Sequence, residues 1–121
     1  MFVMTRTMVI EKGNSDKVIA RFSQEGAIDQ MEGLVDISVM VNRKSQEHEE
    51  VVVVIRWESQ EAWKNWEKSD AHIQGHKNNR GKQPPSYLLN TTVNMYDAQV
   101  VKKGKAFLKI SESINYGGLT S

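Results

Sequence analysis

Residues 51–57 read VVVVIRW, five β-branched side chains in a row followed by an arginine and a tryptophan. β-branched residues lose rotamer freedom in a helix and pack well on a pleated surface, so this run is a strand. The lack of apolar and polar alternation over its first five positions marks a strand covered on both faces, or close to it. A chain carrying such a strand has to build a sheet around it.

The remaining segments supply that sheet. FVMTRTMVI (2–10) is β-rich and ends at EKGNSD, where Gly13 provides a turn and Asn14 or Ser15 can cap a helix. In DKVIARFSQEGAIDQM, Val18, Ile19 and Phe22 fall at helical spacing, and Ala27, Ile28 and Met31 continue the stripe after a break at Gly26. GLVDISVMV (33–41) alternates, with Val35, Ile37, Val39 and Val41 on one face and Asp36 and Ser38 on the other. After the charged loop NRKSQEHEE and the valine strand comes ESQEAWKNWEKSDAHIQGHKNN, with Ser59 as N-cap and Ala62, Trp63 and Trp66 on one side of the helix. Ser69 and Asp70 read as a second cap, which predicts a kink or restart before His72. RGKQPPSY is a loop, because Pro84 and Pro85 cannot continue a helix. LLNTTVNMYDAQVV (88–101) is a last strand, and the tail carries a short apolar group, Phe107, Leu108 and Ile110, before a Gly- and Ser-rich end.

The order β-α-β-β-α-β predicts an α+β, ferredoxin-like fold: a four-stranded antiparallel sheet with its helices on one face. Residues 1–101 form the domain, and 102–121 read as a C-terminal extension, partly ordered at best. The chain has no further helix to cover the second sheet face. A homodimer in which two sheets meet, a dimeric α/β barrel, solves that problem.

Composition removes whole classes of function. With 121 residues the chain makes one domain, and 16 Lys and Arg against 15 Asp and Glu give a formal charge of +1, so no global field favours nucleic acid. Cysteine is absent, which excludes disulfides, thiolate metal sites and thiol nucleophiles. No apolar run is long enough to span a membrane, and MFVMTRTMVIEKG has a cation in its middle with no small-residue cleavage site. The expectation is a soluble, cytoplasmic protein.

His72 and His76 carry the chemistry. Four residues apart, they lie about 40° from one another around a continuous helix, with about 6 Å of rise between them. The sequence His-Ile-Gln-Gly-His lacks the glutamate that a zinc hydrolase of this spacing uses as its base, and no third ligand is evident. Two histidines at a helix rim is one reading. The other gives His76 a flat partner: heme iron is held by a neutral imidazole in an apolar slot, with cations at the rim for its carboxylates. Gly75 beside it removes a side chain where a macrocycle would approach, and Lys77, Arg80 and Lys82 follow. Trp63 and Trp66 either pack the core or wall the same slot.

WESQEAWKNWEKSDAHIQGH resembles the signature of the antibiotic biosynthesis monooxygenase fold, and specifically its IsdG-type heme-degrading monooxygenases. EKG…DKVIARF, the Glu-Gly before the second strand, and MYDAQVV extend the resemblance over roughly residues 1–101. The resemblance implies that His76 is the axial ligand of heme iron, that Trp66 crowds and ruffles the porphyrin, and that residue 6 tunes the far side. Where the family carries asparagine this chain has Arg6, which donates hydrogen bonds and accepts none. It further implies a reaction in which heme is both substrate and cofactor, with O2 and an external electron donor (a reductase or a small-molecule reductant), releasing an opened tetrapyrrole and iron. On this reading Gly75, Lys77 and Arg80 contact the cofactor and His72 stays outside it. Two alternatives remain on the sequence: a cofactor-free quinol or polyketide monooxygenase of the same fold, and a non-enzymatic heme carrier.

Overall fold

The computed structural model describes residues 1–44 and 47–107. Strand β1 (Phe2–Glu11) is followed by helix α1 (Ser15–Ser23), a 3-10 turn (Ala27–Gln30), strands β2 (Leu34–Val41) and β3 (His48–Trp57), helices α2 (Gln60–Lys68) and α3 (Asp70–Asn79), and strand β4 (Leu88–Asp97). The strands form one antiparallel sheet in the order β2-β3-β1-β4. This is the ferredoxin-like arrangement anticipated from the element order. The sheet of the single chain is open, with β2 and β4 at its edges. Leu108, Ile110 and most of the expected extension 102–121 lie outside the described residues.

Alternation along the two central strands decides what the sheet presents to the helices. On β1, Met8 and Ile10 are fully buried and Phe2 nearly so, which puts Met4 and Arg6 on the same face. On β3, Val51, Val53 and Trp57 have no exposed surface. With Val18 of α1 these form the core, and Phe22, Ile37, Val39 and Ile55 pack around it. The other face carries Val3, Thr5, Thr7 and Val9 on β1 and Val52, Val54 and Arg56 on β3, all partly exposed. The valine strand is therefore covered fully on one side only within a single chain. On that face Arg56 Nε donates to Asp36 Oδ1 at 2.7 Å across the β2 and β3 pair.

Several expectations need adjustment. Val35 does not share a face with Ile37, Val39 and Val41, because the β2 and β3 register shifts between Leu34 and Asp36 and leaves Val35 in the bulge. Ile19 points outward from α1 and is 40% exposed. The continuation of the first helical stripe past Gly26 is only the short 3-10 turn, and β4 ends at Asp97, short of Val101. Asn14 occupies the N-cap position of α1 without a side-chain cap bond; its amide donates instead to the carbonyl of Glu11 at 2.9 Å.

Ser59 and Ser69 act as the sequence indicates. Ser59 Oγ accepts from the Ala62 amide at 3.2 Å, and Ser69 Oγ accepts from the His72 amide at 3.2 Å. Ser69 also closes α2, since its own N–H and hydroxyl both donate to the Trp66 carbonyl. One residue in extended backbone conformation thus ends one helix and starts the next.

Candidate active site

Between α2, α3 and the helix-facing side of the sheet lies a cleft of about 390 Å³. Met4, Ile55, Trp57, Val93 and Met95 line its sheet side, and Trp63 and Trp66 line its helix side. Strand β4 contributes because Val93 pairs with Arg6 and Met95 with Met4, so alternate residues of this edge strand turn toward the cleft. Val93 and Met95 are nearly half exposed, which is how large apolar side chains look when they line an open pocket. Trp63 stacks at a tilt on Phe2, with ring centroids 5.1 Å apart. It thereby combines the two roles the sequence left open, packing and wall. The indole Nε1 atoms of Trp57 and Trp63 are buried without a hydrogen-bond partner among the described residues.

Arg6, Trp66 and His76 all reach this cleft. The restart at Ser69 brings α3 back over it, so that His72 and His76 join Trp66 at one wall. Trp66 and His72 meet edge to face at 4.9 Å, and His72 and His76 do so at 4.4 Å. His76 Nε2 lies 3.0 Å from His72 Nε2, and the same His72 nitrogen lies 2.6 Å from Glu67 Oε2. Among the described residues no group of three or more His, Asp or Glu side chains is arranged to hold a metal ion.

Arg6 stands at a boundary. It lines the main cleft and also a second cavity of about 360 Å³ bordered by Arg21, Lys82, Pro84 and Pro85. Burial, and after it the like charge of Arg21, lowers the pKa of the Arg6 guanidinium from its ordinary value. Both effects favour an anion alongside it. A third cavity, about 270 Å³, opens behind α3 against Trp66, Gly75 and His76. A side chain at Gly75 would meet nothing within 4 Å, so the fold itself does not demand glycine there.

Lys77 and Arg80 are exposed and line none of these three cavities, whereas Lys82 borders the basic one. His72, set aside at the sequence level, sits in the cleft wall. Glu67 was not singled out. Its separation of five residues from His72 is not a helical neighbour spacing, and only the break at Ser69 makes them partners.

A family model described as antibiotic biosynthesis monooxygenase matches residues 1–78. The chain belongs to the antibiotic biosynthesis monooxygenase family. Within it, the Bacillus subtilis protein named heme-degrading monooxygenase HmoA is 55% identical over 104 residues, covering 86% of this chain and 96% of that protein. A Bacillus cereus crystal structure assigned to the same family is 40% identical, with a TM-score of 0.73 over 85% of this chain and 97% of that one. The Mycobacterium tuberculosis heme degrader MhuD, solved with two hemes in its active site, superposes with a TM-score of 0.61 over 86% of this chain and 100% of that one. At 18% identity that last likeness shows the fold alone. No helix of this family member is, among the described residues, long and apolar enough to cross a membrane.

Proposed function

We propose that this monooxygenase-family chain binds heme in the cleft between α2, α3 and the sheet and opens the porphyrin ring oxidatively, releasing iron. The observation that carries the reading is that an imidazole, His76, and a tryptophan, Trp66, share one wall, with His72 and Glu67, of a largely apolar cleft faced by Arg6. The 55% identity to HmoA supports it.

The residues fit the group. A porphyrin needs flat apolar walls, one nitrogen ligand and compensation for its carboxylates, and Met4, Ile55, Trp63, Val93 and Met95 supply the walls. His76 Nε2 would hold the iron, whereas Gly75, with open space over it, borders the smaller cavity behind α3 rather than this cleft. Trp66 presses on the ring from the same wall. Arg6 donates to an anionic group of the substrate, in place of the two-way hydrogen bonding of the family's asparagine. Heme itself supplies the oxygen chemistry, with O2 and electrons delivered from an external reductase or reductant. A bound ring would cover the apolar lining, exclude water from it and strengthen the charges inside the cleft.

The uncovered sheet face, with Val3, Val9, Val52 and Val54 partly exposed, supports a homodimer in which two such faces meet.

The test is a hemin titration followed by ascorbate in air with catalase present. A saturable Soret band near one heme per chain that then decays is the expected result. A stable band would identify a carrier, and no specific band would leave a cofactor-free oxygenase. Trp66→Phe is expected to bind hemin within about twofold of the parent and to slow the decay by about tenfold, because it loses ring pressure and keeps an apolar wall. Single-turnover absorbance kinetics would measure this, and unchanged decay would remove Trp66 from the reaction.

A further inference from the structure

His76 Nε2, the atom that holds iron on the reading above, already has an occupant. His72 Nε2 lies 2.6 Å from Glu67 Oε2. A carboxylate oxygen only accepts hydrogen bonds, and a bare imidazole nitrogen at that distance would set lone pair against lone pair, so His72 Nε2 carries a hydrogen. The same nitrogen lies 3.0 Å from His76 Nε2. A protonated nitrogen has no lone pair to accept with, so His76 Nε2 is the acceptor and the hydrogen of His72 is shared between Glu67 and His76. The proton of a neutral His76 then sits on Nδ1, which is the tautomer with its lone pair on Nε2.

That lone pair serves one partner at a time. We propose that Glu67 and His72 form a latch on His76, closed in the ligand-free protein and displaced when a metalloporphyrin offers its iron to Nε2. The proposal rests on the heme reading and adds two positioning residues to it. Glu67 fixes the hydrogen of His72, and His72 holds the His76 ring in the ligating tautomer while competing for its lone pair. The edge-to-face contact with Trp66, 4.9 Å between centroids, keeps the His72 ring at the cleft wall. A porphyrin without metal has nothing to exchange for the hydrogen bond, so the latch acts on iron porphyrin alone.

His72→Phe separates this from a packing role, since phenylalanine keeps a ring against Trp66 and loses the ring nitrogens that bond Glu67 and His76. Hemin and metal-free protoporphyrin IX are each titrated into the parent and the variant, by absorbance and by tryptophan quenching. The latch requires His72→Phe to bind hemin about fivefold more tightly, the equivalent of one neutral hydrogen bond no longer broken, with protoporphyrin IX affinity unchanged. Equal shifts for both porphyrins, or no gain for hemin, overturn it. Long-range ¹H–¹⁵N NMR of the ligand-free parent needs no variant: a protonated Nε2 on His72 and a bare Nε2 on His76 are expected, and a protonated Nε2 on His76 sinks the latch. If the parent gives no saturable Soret band, the heme reading itself fails, whereas a normal band with unresponsive His72→Phe removes only the latch.

Discussion

His76→Ala is expected to lower hemin affinity by one to two orders of magnitude, with the Soret maximum moving toward that of unligated hemin, and to stop ring opening. On the proposed reading the effect is large because the axial bond is lost outright, and the apolar contacts that remain hold the ring without orienting it. His72 complicates the single variant. With its Nε2 3.0 Å from that of His76, it stands close enough to offer the iron a substitute nitrogen once the hydrogen it shares with Glu67 moves to Nδ1. The double variant His72→Phe, His76→Ala is therefore the cleaner measurement, and it should show no imidazole-ligated spectrum at all. An unaltered ferric spectrum in the double variant would place the axial ligand elsewhere.

Gly33→Ala is expected to destabilise the fold by about 2–4 kcal/mol, combining the cost of a left-handed backbone with that of overpacking. Gly33 has φ of +86°, and a methyl group added there would sit 2.5 Å from the Ala62 Cβ. Ala62 is a fixed obstacle, being backbone-near and in the first turns of α2. The Gly33 carbonyl also accepts from the Glu58 amide at 2.7 Å, so the glycine seats the start of α2 against the start of β2. A chain of this size has only about 5–15 kcal/mol in total, and urea denaturation should show a lower midpoint at an unchanged slope. A midpoint equal to the parent's would mean that α2 can shift to make room, and the hemin titration would then report a displaced Trp66.

The sequence carried the sheet and some of the residues that line the cleft, Trp63, Trp66 and His76 among them, for definite reasons. Strand β3 was legible because a run of β-branched residues has one comfortable conformation. Arg6 was reached through the family resemblance, and the alternation of Phe2, Met4, Met8 and Ile10 in the folded strand is what turns it to the cleft; the break at Ser69 was legible through its capping chemistry. Val35 was misplaced because a bulge changes the face of every residue before it and leaves no mark in the alternation of a single strand. The roles given to Lys77 and Arg80 followed from proximity to Gly75 along the chain, yet α3 runs on to Asn79 and leaves both exposed, away from the cavities. Arg21, on a different element, reaches the cation-rich side instead. The partnership of Glu67 with His72 belongs to tertiary geometry, since it exists only once two helices meet at an angle.

That angle has a mechanical consequence. Ser69 is the single pivot between the helix bearing Trp66 and the helix bearing His76, and its hydrogen bonds run to both sides, to the Trp66 carbonyl and from the His72 amide. Seven residues of helix separate the pivot from His76, a lever of about 10 Å, so a rotation of only about 5° would carry His76 Nε2 by nearly 1 Å. Displacements of that size decide whether reacting groups are in register. One hydroxyl therefore helps set the spacing between His76 and Trp66, the two cleft residues proposed to hold the metal and to bend the ring, and on that proposal small changes at this fulcrum are expected to alter the ring-opening outcome without altering either side chain.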